Sequence, residues 1–329
     1  MDRITRLYGP LIRHSPWLWG ALYRATDYPK VYHSLARTLK PLQAPKVQRL
    51  LETVGPHAVV SVHPLCTDLA AQAIQRLHRP IALVAMPTDL VSIHASHVTR
   101  GVDLFVAPTE VSRRNLMARN VRPDRIVTVG LPVDERFGRV KRSPGELRRD
   151  LGLDPDGFTV LLMAGGEGAG PLPRVAQAVD QAGLDLQLLV VCGRNNECRR
   201  HLERMAWSVP RRIFGFVHNV PELMAASDVV ITKAGPQTIA EALATGRPLL
   251  LTHALPGQEE DNGRYGEEGG AGYLADAPEK VVQRLRALIE QPAQLLAIKE
   301  RVLRRDVPAV RPELQLAGLE ADAPRLPLT

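Results

Sequence analysis

The run Val229-Val230-Ile231-Thr232-Lys233-Ala234-Gly235-Pro236 limits the folds open to this chain more than any other segment. It begins as a β-branched strand and turns through small residues. It then enters Gln237-Thr238-Ile239-Ala240-Glu241-Ala242, which has helical character. A strand feeding such a turn and a helix start is an α/β device. The first N–H groups of the helix have no partner in the helix itself, and its dipole favours negative charge, so the turn suits a phosphate. After a second apolar strand, Pro248 to Leu251, comes the polar stretch Pro256-Gly257-Gln258-Glu259-Glu260-Asp261-Asn262. Its amides and carboxylates suit sugar hydroxyls, so the pair of segments implies a nucleotide-sugar ligand.

The same alternation runs through most of the chain. In the first half, Ala58–Val62 ends at His63-Pro64, Ile81–Ala85 ends at Pro87-Thr88-Asp89, and Leu104–Ala107 and Ile126–Val129 follow, with helices between. Near-continuous apolar strands separated by helices indicate a parallel sheet covered on both faces. His63, Thr88 and Asp89 fall just beyond strand C-terminal ends, where such sheets place ligands. Residues 138–156, rich in charge, glycine and proline, read as a linker. A second series then begins at Thr159–Met163 and runs into Gly165-Gly166-Glu167-Gly168-Ala169-Gly170, with four glycines in six positions. That turn suits a close backbone approach to a diphosphate, although Glu167 is out of place for a bare anion site and glycine-rich turns also occur for backbone reasons alone. Residues 279–305 read as a basic amphipathic helical pair, and the proline-rich end as an irregular tail.

A chain of 329 residues is about twice a typical domain, so two domains are expected. Aromatic residues are 4% of it and no nucleic-acid fold signature is present, which argues against nucleic acid as a partner. The three cysteines show no metal spacing or disulfide framework and read as thiols in a reducing compartment. His94 and His97 lack a third ligand of fitting spacing, so no metal site is expected. Residues 1–140 carry 19 Lys and Arg against 10 Asp and Glu, a net +9, whereas residues 141–329 carry 23 against 25, a net −2. Excess positive charge confined to one half fits either solubility or an anionic membrane surface. Residues 4–24 combine apolar positions, Trp17 and Trp19 among them, with Arg3, Arg6, Arg13 and Arg24. That composition fits a segment lying in a membrane interface as well as one capping a core. No apolar run approaches the ~18–20 residues needed to span a bilayer.

Taken together, these segments resemble the monogalactosyldiacylglycerol synthases and related processive diacylglycerol glycosyltransferases of glycosyltransferase family 28. The resemblance covers roughly residues 1–305. It is carried by Ser61-Val62-His63-Pro64-Leu65, Thr88-Asp89-Leu90 with His94, Gly130-Leu131-Pro132-Val133, Gly165 to Pro171, Cys192-Gly193-Arg194-Asn195, Gly215-Phe216-Val217, Thr232 to Leu243, and Pro256-Gly257-Gln258-Glu259 with Asn262. It implies a GT-B fold, two Rossmann-like doubly wound parallel-sheet domains facing a cleft. The expected division is an acceptor domain over 1–140, a UDP-sugar domain over 141–310, and a tail over 311–329.

The resemblance further implies inverting, metal-independent transfer of galactose or glucose from a UDP-sugar to diacylglycerol at a membrane surface, with no cofactor. Backbone groups near Phe216 and Val217 would read the uracil and Glu241 the ribose. Gly166, Gly168 and Gly170, together with Ala234, Gly235, Pro236 and Thr238, would hold the diphosphate, with Lys233 and Arg194 in the same site. Gln258, Glu259 and Asn262 would face the sugar. His63 and Asp89 are the candidate catalytic groups, and Arg13, Trp17, Trp19 and His94 the candidate membrane and acceptor contacts. The Lys233-to-Pro236 form is nearer to the plant-type galactosyl enzymes.

Two departures from the family pattern stand out. The family's first domain opens with a strand and a glycine-rich loop ending in an activating histidine, which this chain lacks, so the expectation is either a truncated first domain or a start upstream of Met1. Arginine in the plant-type members is here Asp134, with Arg136 two residues on. Two alternatives remain open: a non-catalytic relative that binds nucleotide-sugar or membrane, and a lipid-independent enzyme of the same architecture. The expected location is cytoplasmic, at the inner face of the plasma membrane.

Overall fold

The computed structural model of the protein describes residues 15–303. Arg13, the apolar positions before residue 15 and the tail 311–329 therefore lie outside the described residues. Contacts divide the chain into two units, one of residues 20–132 and one of residues 133–303 with 15–19.

The first unit holds four parallel strands in sequential order: β1 (Ala58–Ser61), β2 (Ala82–Ala85), β3 (Leu104–Ala107) and β4 (Ile126–Thr128). Every residue of β3 is buried, as a strand covered on both faces requires. Its core joins Leu83, Phe105 and Ala107 to Leu116 and Ile126. Leu116 lies on the helix Glu110–Ala118, which starts in a capping box between Thr109 and Ser112. Helix α1 (Pro16–Thr26) leads to α2 (Pro29–Val54), a 26-residue helix to which the sequence reading assigned no element. Pro41 and Pro45 interrupt its pattern, because proline normally removes a helix hydrogen bond. A further helix, α3 (Pro64–Leu77), starts directly after His63, with proline in its first turn.

The second unit is built on six parallel strands in the order β7-β6-β5-β8-β9-β10. They are β5 (Thr159–Met163), β6 (Gln187–Val191), β7 (Arg211–Phe214), β8 (Val229–Thr232), β9 (Leu249–Leu251) and β10 (Gly272–Leu274). Numbered from β5, this is the 3-2-1-4-5-6 order of a doubly wound Rossmann sheet. All of β5, β6, β8 and β9 are buried, which explains their unbroken apolar runs.

The expected linker at 138–156 instead contains the helix Pro144–Asp150. Ser143 and Glu146 form a capping box around Pro144, and that signal outweighs the charged composition. On this helix Arg148 is buried, donating to the Asp228 carboxylate at 2.8 Å and to the Ala226 carbonyl at 2.7 Å. The helix is therefore anchored to the second unit. The amphipathic pair near the C-terminus is the two helices Pro278–Glu290 and Pro292–Leu303.

Candidate functional site

In the second unit β5 and β8 are neighbours, with Leu162 beside Ile231, and the strand order reverses between them. The crevice at the carboxyl ends of such strands is where open α/β sheets bind ligands. The glycine turn follows β5 and the Lys233 turn follows β8, so the topology brings the two sequence motifs together.

Close packing explains the glycines. Gly168 has φ +60°, and a Cβ there would lie 2.1 Å from the Cys192 carbonyl oxygen. The Cys192-to-Asn195 turn supports it: the Arg194 N–H donates to the Gly166 carbonyl at 2.8 Å, and Asn195 Nδ2 donates to the Gly168 carbonyl at 3.0 Å. Gly170 has φ +111°, and a Cβ there would meet the His253 ring at 2.2 Å.

Helix α4 (Pro236–Ala244) begins after Gly235 with proline in its first turn and no side-chain cap. The positive end of its dipole, with no side-chain cap over it, faces the crevice as an anion would require. The turn before it is held from behind. The Ala234 N–H donates to the His253 carbonyl at 2.7 Å, and Asn262, fully buried, donates through Nδ2 to the Ala234 carbonyl at 3.2 Å. Lys233 pairs with Glu259, which is buried and also accepts the Leu255 N–H at 3.1 Å. Glu259 heads the helix Glu260–Glu268, so the stretch read as a polar loop is largely a helix entry. The sequence reading aimed Glu259 and Asn262 at the sugar; in the structure their side chains brace the Lys233 turn. Gln258 is half-buried, and its Oε1 accepts from Trp19 Nε1 at 3.2 Å. Trp19 also packs on Ala169 and Leu255, residues of the same unit.

Around the edge, Phe216 is exposed, with the Arg194 guanidinium 4.3 Å from its ring centroid. Arg194 also pairs with Glu167 at 3.4 Å. Val217 is half-buried and Thr238 is buried at the start of α4. Glu241 is half-buried, and burial pushes its carboxyl up to about 7; a hydrogen bond from Gln237 opposes this and the Asp134 charge adds to it. Asp134 is engaged by Arg136, which donates through Nη2 at 2.9 Å and through its backbone N–H at 2.9 Å. The charge reversal noted in the sequence is therefore offset locally, and the Arg136 guanidinium is occupied by it.

The first unit gathers His63, His94 and His97, and the charges of the first two act on the third. His63 sits at the head of α3 and is exposed, whereas Asp89 is buried. His94 is buried too, with Nδ1 2.6 Å from Ser96 Oγ and Nε2 3.1 Å from the Tyr23 carbonyl. Burial, followed by the charges of His94, His63 and Arg119, lowers His97 to about 3. Trp17 on α1 is 69% exposed, and Leu18 and Leu22 beside it are exposed as well. Among the described residues no group of three or more His, Cys, Asp or Glu is arranged to hold a metal ion. No helix among them is long and apolar enough to cross a membrane.

Comparison with known proteins assigns both halves. The family model for monogalactosyldiacylglycerol (MGDG) synthase matches residues 1–133, and that for the glycosyltransferase family 28 C-terminal domain matches residues 159–304. The chain belongs to the monogalactosyldiacylglycerol synthase family. It is 35% identical over 295 residues to the probable monogalactosyldiacylglycerol synthase 2, chloroplastic, of Oryza sativa subsp. japonica, covering 87% of this chain and 62% of that protein. It is also 35% identical over 292 residues to the monogalactosyldiacylglycerol synthase, chloroplastic, of Spinacia oleracea, covering 86% and 56%. The chain thus spans roughly six-tenths of the length of these relatives. Among solved structures, Anabaena HepE in complex with UDP-glucose superposes with a TM-score of 0.61 at 17% identity, covering 84% of this chain and 81% of that one. At that identity the likeness shows the fold, GT-B with two Rossmann-like units.

The synthase family corrects one expectation. A cytoplasmic location at the inner face of the plasma membrane does not stand, because the family members it matches are chloroplastic proteins. The sequence reading also passed over His253. The available signal was its position just past the C-terminal end of β9, the same edge that carries both turns.

Proposed function

We propose that this member of the synthase family transfers a hexose, galactose in the first instance, from a UDP-sugar to the free hydroxyl of diacylglycerol. The observation carrying this reading is the pair of turns flanking the strand-order reversal: the glycine turn after β5 and the uncapped start of α4 after β8. Main-chain amides, the helix dipole and Lys233 there can meet the charge that builds on departing UDP, a preorganised electrostatic contribution. Phe216 offers a face for the uracil, Glu241 an acceptor for ribose hydroxyls, and Gln258 an amide for the sugar.

In the reaction, the acceptor oxygen attacks the anomeric carbon from the side opposite the diphosphate, the bond to UDP breaks, and the sugar inverts. The hydroxyl proton passes to a base, for which His63 and Asp89 are the candidates in this chain. In this account the leaving diphosphate is met by amides and Lys233, so the reaction needs no metal and chelation leaves its rate unchanged. The exposed Trp17, Leu18 and Leu22 of α1, with Arg24 exposed beside them, suit an anionic lipid surface that also holds the acceptor.

The direct test is incubation of the chain with labelled UDP-galactose or UDP-glucose and vesicles containing diacylglycerol, with and without EDTA. Labelled glycolipid from UDP-galactose supports the reading. Lack of transfer from either donor sinks it, and transfer that needs added divalent cation removes its metal-independent part.

A further inference from the structure

His253 belongs to none of the roles above, yet its ring lies against the glycine turn and its main chain holds the Lys233 turn. Thr252 Oγ1 donates to the Thr232 carbonyl at 3.2 Å and lies 3.0 Å from His253 Nδ1. A hydroxyl whose proton is already committed offers Nδ1 a lone pair, so the neutral ring carries its hydrogen on Nδ1. Nε2 then presents a bare lone pair, buried and with no hydrogen-bond partner. It faces the turn: a Cβ at Gly170 would lie 2.2 Å from Nε2. The backbone of Ala169 stands where a protonated ring would gain a hydrogen bond.

We propose that His253 is a positioning residue that takes a proton from solvent on Nε2 when the glycine turn receives an anionic diphosphate. The charged ring then braces the turn through Ala169, and donor binding is coupled to uptake of one proton. The proposal rests on the reading that this turn holds the diphosphate.

The charges facing the ring are Lys233, from the turn after β8, and Glu259, at the head of the helix Glu260–Glu268; the glycine turn presents backbone. Burial first and Lys233 second hold His253 below the ordinary histidine value, with Glu259 and Ala169 opposing, so the empty site carries a neutral ring at pH 7. In the empty site Lys233 and Glu259 act on the ring with opposite sign; an arriving diphosphate adds negative charge beside it, and that added field favours the cation. Because protons are bound, donor affinity should rise as pH falls through the value of the occupied site and level off below that of the empty one. The slope is at most about tenfold per pH unit for one proton.

The test is calorimetric titration of UDP-galactose into the full chain near pH 7, in buffers of different ionisation enthalpy, for wild type and His253→Gln. UDP-galactose is the probe because its diphosphate has no terminal group that titrates in this range. Glu241, if it accepts from the ribose as a carboxylate, releases protons, so the readout is the difference between the two proteins. Wild type taking up about one proton more than His253→Gln is the expected result. Equal proton counts with binding intact overturn the role of His253 and leave the donor site standing, whereas a wild-type chain that binds no UDP-galactose refutes the donor site itself. Should His253→Gln fail to fold, nitrogen-15 spectra of wild type decide the matter. The Nε2 resonance should move from that of a bare nitrogen to that of a protonated one on adding UDP-galactose, and an unmoved resonance refutes the proposal.

Discussion

Replacing Glu241 by glutamine should make the protein more stable and a worse nucleotide binder, two effects of opposite sign from one atom pair. Burial raises the Glu241 carboxyl from 4.5 to about 7, so the fold holds a carboxylate in a place that disfavours its charge. For an acid whose folded value is raised, the full stability is present below the unfolded value and is lost as pH climbs between the two. At 1.36 kcal/mol per unit, that shift has a ceiling of ~3 kcal/mol above pH 7. The group is only half-buried, so solvent screening reduces the expected gain to about 1–2 kcal/mol. Glutamine keeps the shape and removes the charge. The advantage of Glu241→Gln over wild type in urea midpoint should therefore be near zero around pH 4.5, grow towards pH 7 and stay flat beyond. UDP should bind the variant roughly tenfold or more weakly, because hydrogen bonds from ribose to a charged acceptor are worth about 1.5–3 kcal/mol. A variant no more stable at pH 8 refutes the burial argument, and unchanged UDP affinity refutes the ribose assignment.

Three further outcomes follow from the same geometry. Lys233→Met leaves the Glu259 carboxylate, 4% exposed, without its cation, which should cost about 3–5 kcal/mol in thermal or urea unfolding, and adding Glu259→Gln should recover most of it. Gly168→Ala places a Cβ against the Cys192 carbonyl at φ +60°, so stability should fall by at least about 1–2 kcal/mol and UDP affinity should drop with it. Trp17→Ser with Leu22→Ser should reduce flotation with anionic vesicles while leaving UDP affinity unchanged.

The strands were legible because parallel strands covered on both faces must be apolar along nearly their whole length, as Thr159–Met163 and Val229–Thr232 are apart from their terminal threonines. The two turns were legible for a related reason. A turn packed this closely against its neighbours needs glycine, and Gly168 and Gly235 stand there. What the sequence hid were contacts between residues far apart in the chain. Glu259 reads as a polar loop residue until its pairing with Lys233, 26 positions earlier, is seen. Arg148 reads as linker charge until its partner Asp228, 80 positions later, is in view. The capping box of Ser143 and Glu146 stood in a segment assigned on composition alone, and the prolines inside Pro29–Val54 masked a helix whose stability comes from packing rather than propensity. His253 carried no motif beyond its place just past the end of β9, and its contact with Gly170 gives that place meaning.

The central claim is that the second unit holds a UDP-sugar between the turns after β5 and β8. Its most direct test is equilibrium titration of UDP-galactose into the full chain, with the Gly168→Ala variant alongside. The account predicts saturable one-to-one binding, displaced by UDP and weakened in the variant. Absence of binding at millimolar UDP-galactose by the folded wild-type chain would contradict it.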